Sequence, residues 1–248
     1  MSFIDFNKKM CKKIEPLFSN MQFSISGFYF NAVKNKLKDE QIVVDIGGGK
    51  KCIYSAERMS FKQNKIIVVD ISEEEIQYNE DVDEKIVADV TKFIPLDDCS
   101  IDMVTSASVL EHLPNLAASI KEISRILKPN GYFISLLPNK FALFAIINQC
   151  LPHSLSKKIL YKLRPESKGV GGFKAYYNLC FFKALNNVLR ENGFDVQFCF
   201  SYHQSGYFSF FFPFFLISAI WDYMMCRLNI KNFCAYICFI AKKSSRQA

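Results

Sequence analysis

Between residues 41 and 137 short apolar runs alternate with stretches of helical spacing. Gln41–Ile46, Lys65–Asp70, Lys85–Ala88, Ile101–Ser106 and Tyr132–Leu137 have apolar bodies and break into polar or glycine residues at or just beyond their carboxyl ends, which predicts buried parallel strands. Phe28–Lys38, Ile53–Phe61 and Leu116–Leu127 carry helical spacing, and a further helix starts after Ser72. Ser72 can cap that helix, and Glu73, Glu74 and Glu75 suit its first turn. Pro129-Asn130-Gly131 predicts the stop of the helix before it. Strands alternating with helices in this way predict a parallel α/β sheet with right-handed crossovers.

The rest of the chain is patterned differently. Phe3–Phe18 has the spacing of an amphipathic helix ending near Pro16. After residue 138, Phe141–Leu151 and Leu155–Arg164 predict two helices around Pro152, and Gly169-Val170-Gly171-Gly172 predicts a flexible break. Leu179–Asn192 predicts a helix closed by Gly193, followed by strands at Phe194–Phe200 and Phe233–Ala241. Between those strands Gly206–Leu228 is strongly apolar, and Ser205–Trp221 carries no charge.

Candidate chemistry collects at the strand ends. VVDIGGGK (Val43–Lys50), IIVVDIS (Ile66–Ser72), ADV (Ala88–Val90) and SASVLEHLPN (Ser106–Asn115) follow one another, and ligands of parallel sheets bind at such ends. Glycines after a strand let backbone approach a ligand closely. A dinucleotide fingerprint needs a third glycine at a set offset, and Lys50, Lys51 and Cys52 follow Gly47, Gly48 and Gly49 instead. Asp45 stands immediately before the glycines, where it would repel pyrophosphate and favour an ammonium or sulfonium group. Asp70 lies 25 residues further on, near the usual spacing for an acid on ribose hydroxyls, and Asp89 could accept from an adenine amino group.

These segments, in this order, resemble the motifs of class I S-adenosylmethionine-dependent methyltransferases of the broad small-molecule group. The resemblance runs over about residues 40–138, and ADVTKFIPLDDCSIDMV and RILKPNGYFIS extend it. It implies a Rossmann-like seven-stranded, mostly parallel α/β sheet with helices on both faces, an antiparallel last strand and helical lid insertions. It implies one domain over 1–248: N-terminal helices in 1–40, a cofactor core in 41–138, a lid insertion in 139–175, and C-terminal strands with an apolar helix 206–228 in 176–248. It also assigns an S-adenosylmethionine site. Asp45 faces the methionine ammonium, with Ile46 beside it, and Gly47, Gly48 and Gly49 form the close loop. Asp70 and Ile71 take the ribose, Asp89 and the Val90 N–H take the adenine, and Ser106 lines the methionine side. Lys51 departs from the family pattern, where a third glycine is common.

Methyl transfer from an activated sulfonium asks the protein mainly for orientation, and a hydroxyl acceptor also gains from a general base. His112 is the candidate base, with imidazole in the right range, and Glu111 either orients it or points to solvent. The alternative is that this segment simply starts a helix and His112 packs against the cofactor. His153 and His203, in lid regions, are weaker candidates. Phe173, Tyr176 and Tyr177 either close over an acceptor or pack in the core.

Charge changes the picture of the second half. Residues 1–110 carry 14 Lys/Arg and 18 Asp/Glu, a net of −4, whereas residues 111–248 carry 17 and 6, a net of +11. A basic, aromatic half fits an anionic surface or substrate as well as a solvated face. The nine cysteines form no CxxC and no cluster with histidine, which argues against a metal site and for a reducing, cytoplasmic setting. The 17 uncharged residues are at the lower limit for crossing a bilayer, and Pro213 interrupts them. A single crossing would also separate two strands of one sheet. The segment is therefore expected as an in-plane, monotopic membrane contact assisted by Phe141–Leu151, Lys157, Lys158 and Lys162, with a buried dimer interface or an apolar lid as alternatives. The expected protein is peripheral at the inner face of a membrane, O-methylates a lipid-linked or hydrophobic acceptor and has no nucleic-acid partner. A quinone-type methyltransferase and a non-catalytic binding module are the other readings.

Overall fold

In the computed structural model residues 2–21, 23–52, 64–163, 173–203 and 208–245 are described. β1 (Ile42–Ile46), β2 (Lys65–Asp70), β3 (Glu84–Val87), β4 (Ile101–Ala107) and β5 (Leu127–Pro138) pair in parallel. β7 (Tyr236–Lys243) runs antiparallel between β5 and β6 (Phe194–Ser201), giving the order β3-β2-β1-β4-β5-β7-β6. This is the expected seven-stranded, mostly parallel sheet. Its order reverses between β1 and β4, so a crevice opens above their carboxyl ends.

Each face of the sheet has its own core. Helix α2 (Ile25–Lys36) lays Ile25, Tyr29, Ala32 and Val33 on Val43, Ile66, Met103 and Ile134. On the other face α4 (Leu116–Ile126) buries Leu116, Ile120, Ile123 and Ile126 at helical spacing, and α7 (Phe182–Glu191) adds Leu185 and Leu189. Phe133 lies fully buried on this side, edge-on to Phe239 with ring centroids 5.0 Å apart. Arg125, on α4, donates to the Leu96 carbonyl at 2.8 Å and the Ile94 carbonyl at 2.7 Å, which pins the crossing from β3 to β4.

The remaining helices gather at the carboxyl edge. α5 (Leu143–Cys150) and α6 (His153–Leu163) follow β5, and α8 (Phe212–Arg227) follows β6. The N-terminal α1 (Phe3–Ile14) packs on α8: Asn7 Oδ1 accepts from the Phe212 N–H at 2.8 Å, and Phe3 stacks on Phe211. A one-turn helix, α3 (Glu73–Ile76), starts at Ser72, whose hydroxyl accepts from the Glu75 N–H at 3.2 Å.

Several boundaries differ from the sequence reading, for local reasons. β5 begins at Leu127, not Tyr132, because Leu127 already pairs with Ile101 and the chain then bulges before Tyr132 joins Met103. Asn130 takes a φ of 66°, and a Cβ on Gly131 would lie 2.9 Å from the Lys128 carbonyl and 3.0 Å from that of Asp102. Proline, asparagine and glycine thus shape a bulge inside the strand. α7 starts at Phe182 because Tyr177 and Leu179 adopt positive φ of 54° and 61°. β7 starts at Tyr236 because Lys231–Phe233 forms a 3-10 turn. Lys243, two residues past the expected end of the last strand at Ala241, donates to the Ser124 carbonyl at 2.6 Å and the Leu127 carbonyl at 2.7 Å, at the end of α4. The expected helix at Ile53–Phe61 and the glycine break at 169–172 lie outside the described residues.

Phe133→Ala is expected to destabilise the protein by about 3–5 kcal/mol, through lost burial and the cavity left under Phe239. Urea unfolding of the two proteins measures this. A loss under about 1 kcal/mol would mean that Phe133 does not join β5 to β7 as described.

Candidate functional site

The crevice above β1, β2 and β4 is built around Asp45. This side chain is only 2% exposed, in the middle of the sheet, and its Oδ1 accepts from the Thr105 hydroxyl at 2.8 Å. Tyr29, fully buried on α2, packs on the same face of the sheet. Burial pushes the Asp45 carboxyl up to about 7; the Thr105 hydrogen bond opposes this and the Asp70 charge adds to it. The turn after β1 folds tightly over this acid. Gly47 takes a φ of 70°, with Val109 where its Cβ would be, and a Cβ on Gly48 would come within 2.7 Å of both Asp45 Oδ2 and Val68. Only glycine fits either place.

Asp70, at the end of β2, holds the same turn from the other side. Its Oδ2 accepts from the Gly49 N–H at 3.1 Å and its Oδ1 from the Ser72 N–H at 2.9 Å. An ionised carboxylate has about four lone-pair sites, so both oxygens keep acceptor capacity. Asn79, fully buried, donates to the Gly49 carbonyl at 2.9 Å and completes the support. Ile71 is exposed beside Asp70, and Val90 is buried. Asp89 lies two residues past the end of β3, not on the strand end as expected. Its Oδ1 accepts from the Thr91 hydroxyl at 2.7 Å and the Thr91 N–H at 3.0 Å, and Lys92 stands 3.3 Å from Oδ2. The Thr91 hydroxyl is the main reason its carboxyl sits below the usual range.

The turn after β4 brings a second set of groups together. Ser106, paired with Ile46 on β1, has a buried hydroxyl with no hydrogen-bond partner among the described residues. Glu111 is 4% exposed, so it does not point to solvent; burial pushes its carboxyl up to about 8, and its Oε2 has no hydrogen-bond partner among the described residues. The Glu111 carbonyl accepts from the Tyr176 N–H at 2.8 Å and the Tyr177 N–H at 3.0 Å, tying the segment before α7 to this turn. His112 Nδ1 lies 2.9 Å from the Lys174 carbonyl. A carbonyl only accepts, so Nδ1 carries the proton and Nε2 is left bare, 3.8 Å from Glu111 Oε1. Burial, and then the charge of His153, lower the His112 pKa against the effect of that hydrogen bond, so the ring is neutral at neutral pH. Phe173 meets the imidazole edge-on with centroids 6.2 Å apart, and Tyr177 is buried. His203 lies elsewhere, past β6, 3.7 Å from Asp222.

Comparison with known proteins fits this geometry. Residues 44–135 match a family model described as a methyltransferase domain. Residues 44–135 form a class I S-adenosylmethionine-dependent methyltransferase domain. The chain is also 26% identical over 250 residues to an uncharacterized protein of Methanocaldococcus jannaschii, covering 98% of this chain and 91% of that one. Its fold is similar to an S-adenosylmethionine-dependent methyltransferase of Methanosarcina mazei, with a TM-score of 0.55 and 18% identity over 86% of this chain and 97% of the other. A phosphoethanolamine N-methyltransferase of Haemonchus contortus, in complex with S-adenosyl-L-methionine, has a TM-score of 0.55 and 15% identity, over 98% of this chain and 60% of its own.

The polar groups around the methyltransferase crevice fit the charge and hydroxyls of S-adenosylmethionine. Asp45 would meet the ammonium, Asp70 the ribose hydroxyls, and the orphaned Ser106 hydroxyl offers a buried donor and acceptor beside β1. Asp89 would offer the adenine amino group only Oδ2, which it shares with Lys92. Thr105, Tyr29 and Asn79 were not singled out from the sequence. Thr105 sits inside an ordinary apolar strand and Tyr29 and Asn79 reach the site from distant segments, so no local pattern marks them.

Asp45 supplies a test of both stability and affinity. Its pKa is higher folded than unfolded, so the native state holds this proton more tightly. Stability from the protonated acid is present at low pH and is lost as pH rises from about 4 through about 7. Asp45→Asn is therefore expected to stabilise the cofactor-free enzyme by about 1–3 kcal/mol at pH 8, with little change near pH 4, while weakening S-adenosylmethionine binding at least tenfold. Thermal unfolding and calorimetry read the two effects. An Asn variant that binds the cofactor as tightly as the parent would remove Asp45 from the ammonium position.

Proposed function

We propose that this methyltransferase transfers a methyl group to the hydroxyl of a lipid-linked or otherwise hydrophobic acceptor while docked on a membrane surface. The observation that carries the reading is the outer face of α8. Phe214, Ile217, Ile220, Met224 and Leu228 are all exposed, Ile217 at 59% and Leu228 at 64%. The charged residues of the helix are Asp222, which is buried, and Arg227, in its last turn. A helix apolar on both its packed and its open side is suited to a solvent other than water.

The docking is in-plane. No described helix is long and apolar enough to cross a membrane. The 16 residues of α8 span about 24 Å, short of a hydrocarbon core of roughly 30 Å. The strands on either side of α8, β6 and β7, pair with each other, so the chain must return to the side it left. α8 follows a strand that ends at the same sheet edge as β4, which supports acceptor docking and cofactor binding on one side of the molecule.

S-adenosylmethionine supplies the methyl group on an activated sulfonium. This chain's residues supply position and proton handling. Asp45 and the Gly47–Gly49 turn would hold the methionine end, with Ile46 and Ser106 alongside. Asp70 and Ile71 would hold the ribose, and Asp89 and Val90 the adenine side. His112 Nε2, bare because Nδ1 is committed to Lys174, would accept the hydroxyl proton as the methyl group arrives. Glu111, a neutral acid below about pH 8, leaves the imidazole free of a fixed negative neighbour. Phe173 and Tyr176 would flank the acceptor.

The protein incubated with radiolabelled S-adenosylmethionine and membrane extract is expected to place label in the lipid fraction. Label confined to water-soluble product would overturn the acceptor class. His112→Asn is expected to lower turnover about 100-fold or more and to leave cofactor affinity within a few-fold, as loss of a general base does. Undiminished turnover in that variant would assign the base elsewhere.

A further inference from the structure

An open cavity of about 470 Å³ lies between α1 and α8, apart from the methyltransferase crevice. Lys8, Lys9 and Lys12 line it, together with Ser209 and the buried Cys11 and Phe215. Asp5 and Glu15 line it as well. The Asp5 carboxylate is already committed to the cap of α1, accepting from the Ser2 hydroxyl at 2.6 Å and the Ser2 N–H at 3.2 Å. Among the described residues none of the three lysines is held in an ion pair.

Lys8 and Lys12 are four apart, and like charges at that spacing repel along a helix. Part of this is offset: the Ser2 hydrogen bonds and then the charge of Lys8 hold the Asp5 carboxyl below its usual range, and Lys12 suits the last turn of α1. An anion at the cavity eases the repulsion that is left. Apolar groups adjoin the same helix. Phe3 stacks on Phe211 at 6.3 Å, Phe211 meets Phe214 edge-on at 5.0 Å, and Phe3, Phe6 and Phe214 are exposed. This aromatic row runs from α1 into the open apolar stripe of α8. A soluble anion would use the ammonium groups and leave the aromatic row idle. A phospholipid uses both, because its phosphate and its acyl chains lie side by side.

We propose that the α1–α8 cavity is a headgroup site for anionic phospholipid: Lys8, Lys9 and Lys12 take the headgroup phosphate, and Phe3, Phe214 and the α8 stripe enter the acyl region beside it. This rests on the membrane-docking reading and narrows it to a class of lipid and to the residues that select it.

The test is sedimentation of the full chain with phosphatidylcholine vesicles and with vesicles containing phosphatidylglycerol. The parent is expected to bind the anionic vesicles at least tenfold more tightly. A Lys8→Gln/Lys9→Gln/Lys12→Gln variant is expected to lose that preference. These lysines are exposed, so the fold is retained, which circular dichroism checks. A control with Lys34→Gln, Lys38→Gln and Lys121→Gln removes the same charge elsewhere and is expected to bind as the parent does. Equal loss in both variants would reduce the effect to net charge and overturn the headgroup site. Undiminished preference in the first variant would also overturn it, while leaving membrane docking standing. A parent that binds neither vesicle would overturn the docking reading itself.

Discussion

The sheet is buried on both faces, and this constraint decides where chemistry can occur. Val43, Ile66 and Met103 face α2, while Val44, Ile67 and Val104 face α4 and α7, so the strand bodies have no room for a ligand. Polar function is pushed to the strand ends, and the parallel pairing of β1 to β5 sends all five carboxyl ends to one edge. Asp45 is the exception: an acid in the last turn of a central strand, kept there by one hydroxyl from the neighbouring strand. The Gly47–Gly48 turn closes against it without a Cβ, so the acid and the glycines form a single unit.

Burial then sorts the acids of the site into two kinds. Asp45 and Glu111 have few partners and titrate near 7 and 8, so both are largely or partly protonated at neutral pH. Asp89, bonded to Thr91 and near Lys92, stays ionised. A cationic ligand beside Asp45 would favour its charged form, which links cofactor binding to release of a proton. Glu111 has no such partner among the described residues, and its neutral form also suits the bare Nε2 of His112 next to it.

Strand existence and order were legible in the sequence because parallel strands leave continuous apolar runs, and the acid-before-glycine order separated this site from a dinucleotide site. Lys65–Asp70 was even placed to the residue. What failed was whatever depended on contacts remote in sequence. Pro129-Asn130-Gly131 carries the signal of a stop, and nothing local says that a strand has already begun around it. Lys243 lies beyond the strand expected to end at Ala241, and only the longer β7 brings it to the end of α4. The buried neighbours of Asp45 come from a strand 60 residues away, through Thr105, and from α2. The same limit hid the pairing of α1 with α8, made through Asn7 and Phe212 at a separation of 205 residues.

That last pairing joins the two halves of the charge pattern. α1 belongs to the acidic half of the chain and carries a local excess of lysine; α8 belongs to the basic half and carries almost no charge. In the proposed docking neither would be complete as an interfacial element alone, since lysines without apolar anchors hold a membrane only by screened attraction, and an apolar face without cations has no preference among lipids. Packing one on the other would supply both terms. Under the proposed docking α8, flanked by paired strands, would supply its term only from within the interface plane, and this would turn the carboxyl edge of the sheet, and the crevice of Asp45 with it, toward the surface from which a hydrophobic acceptor would arrive.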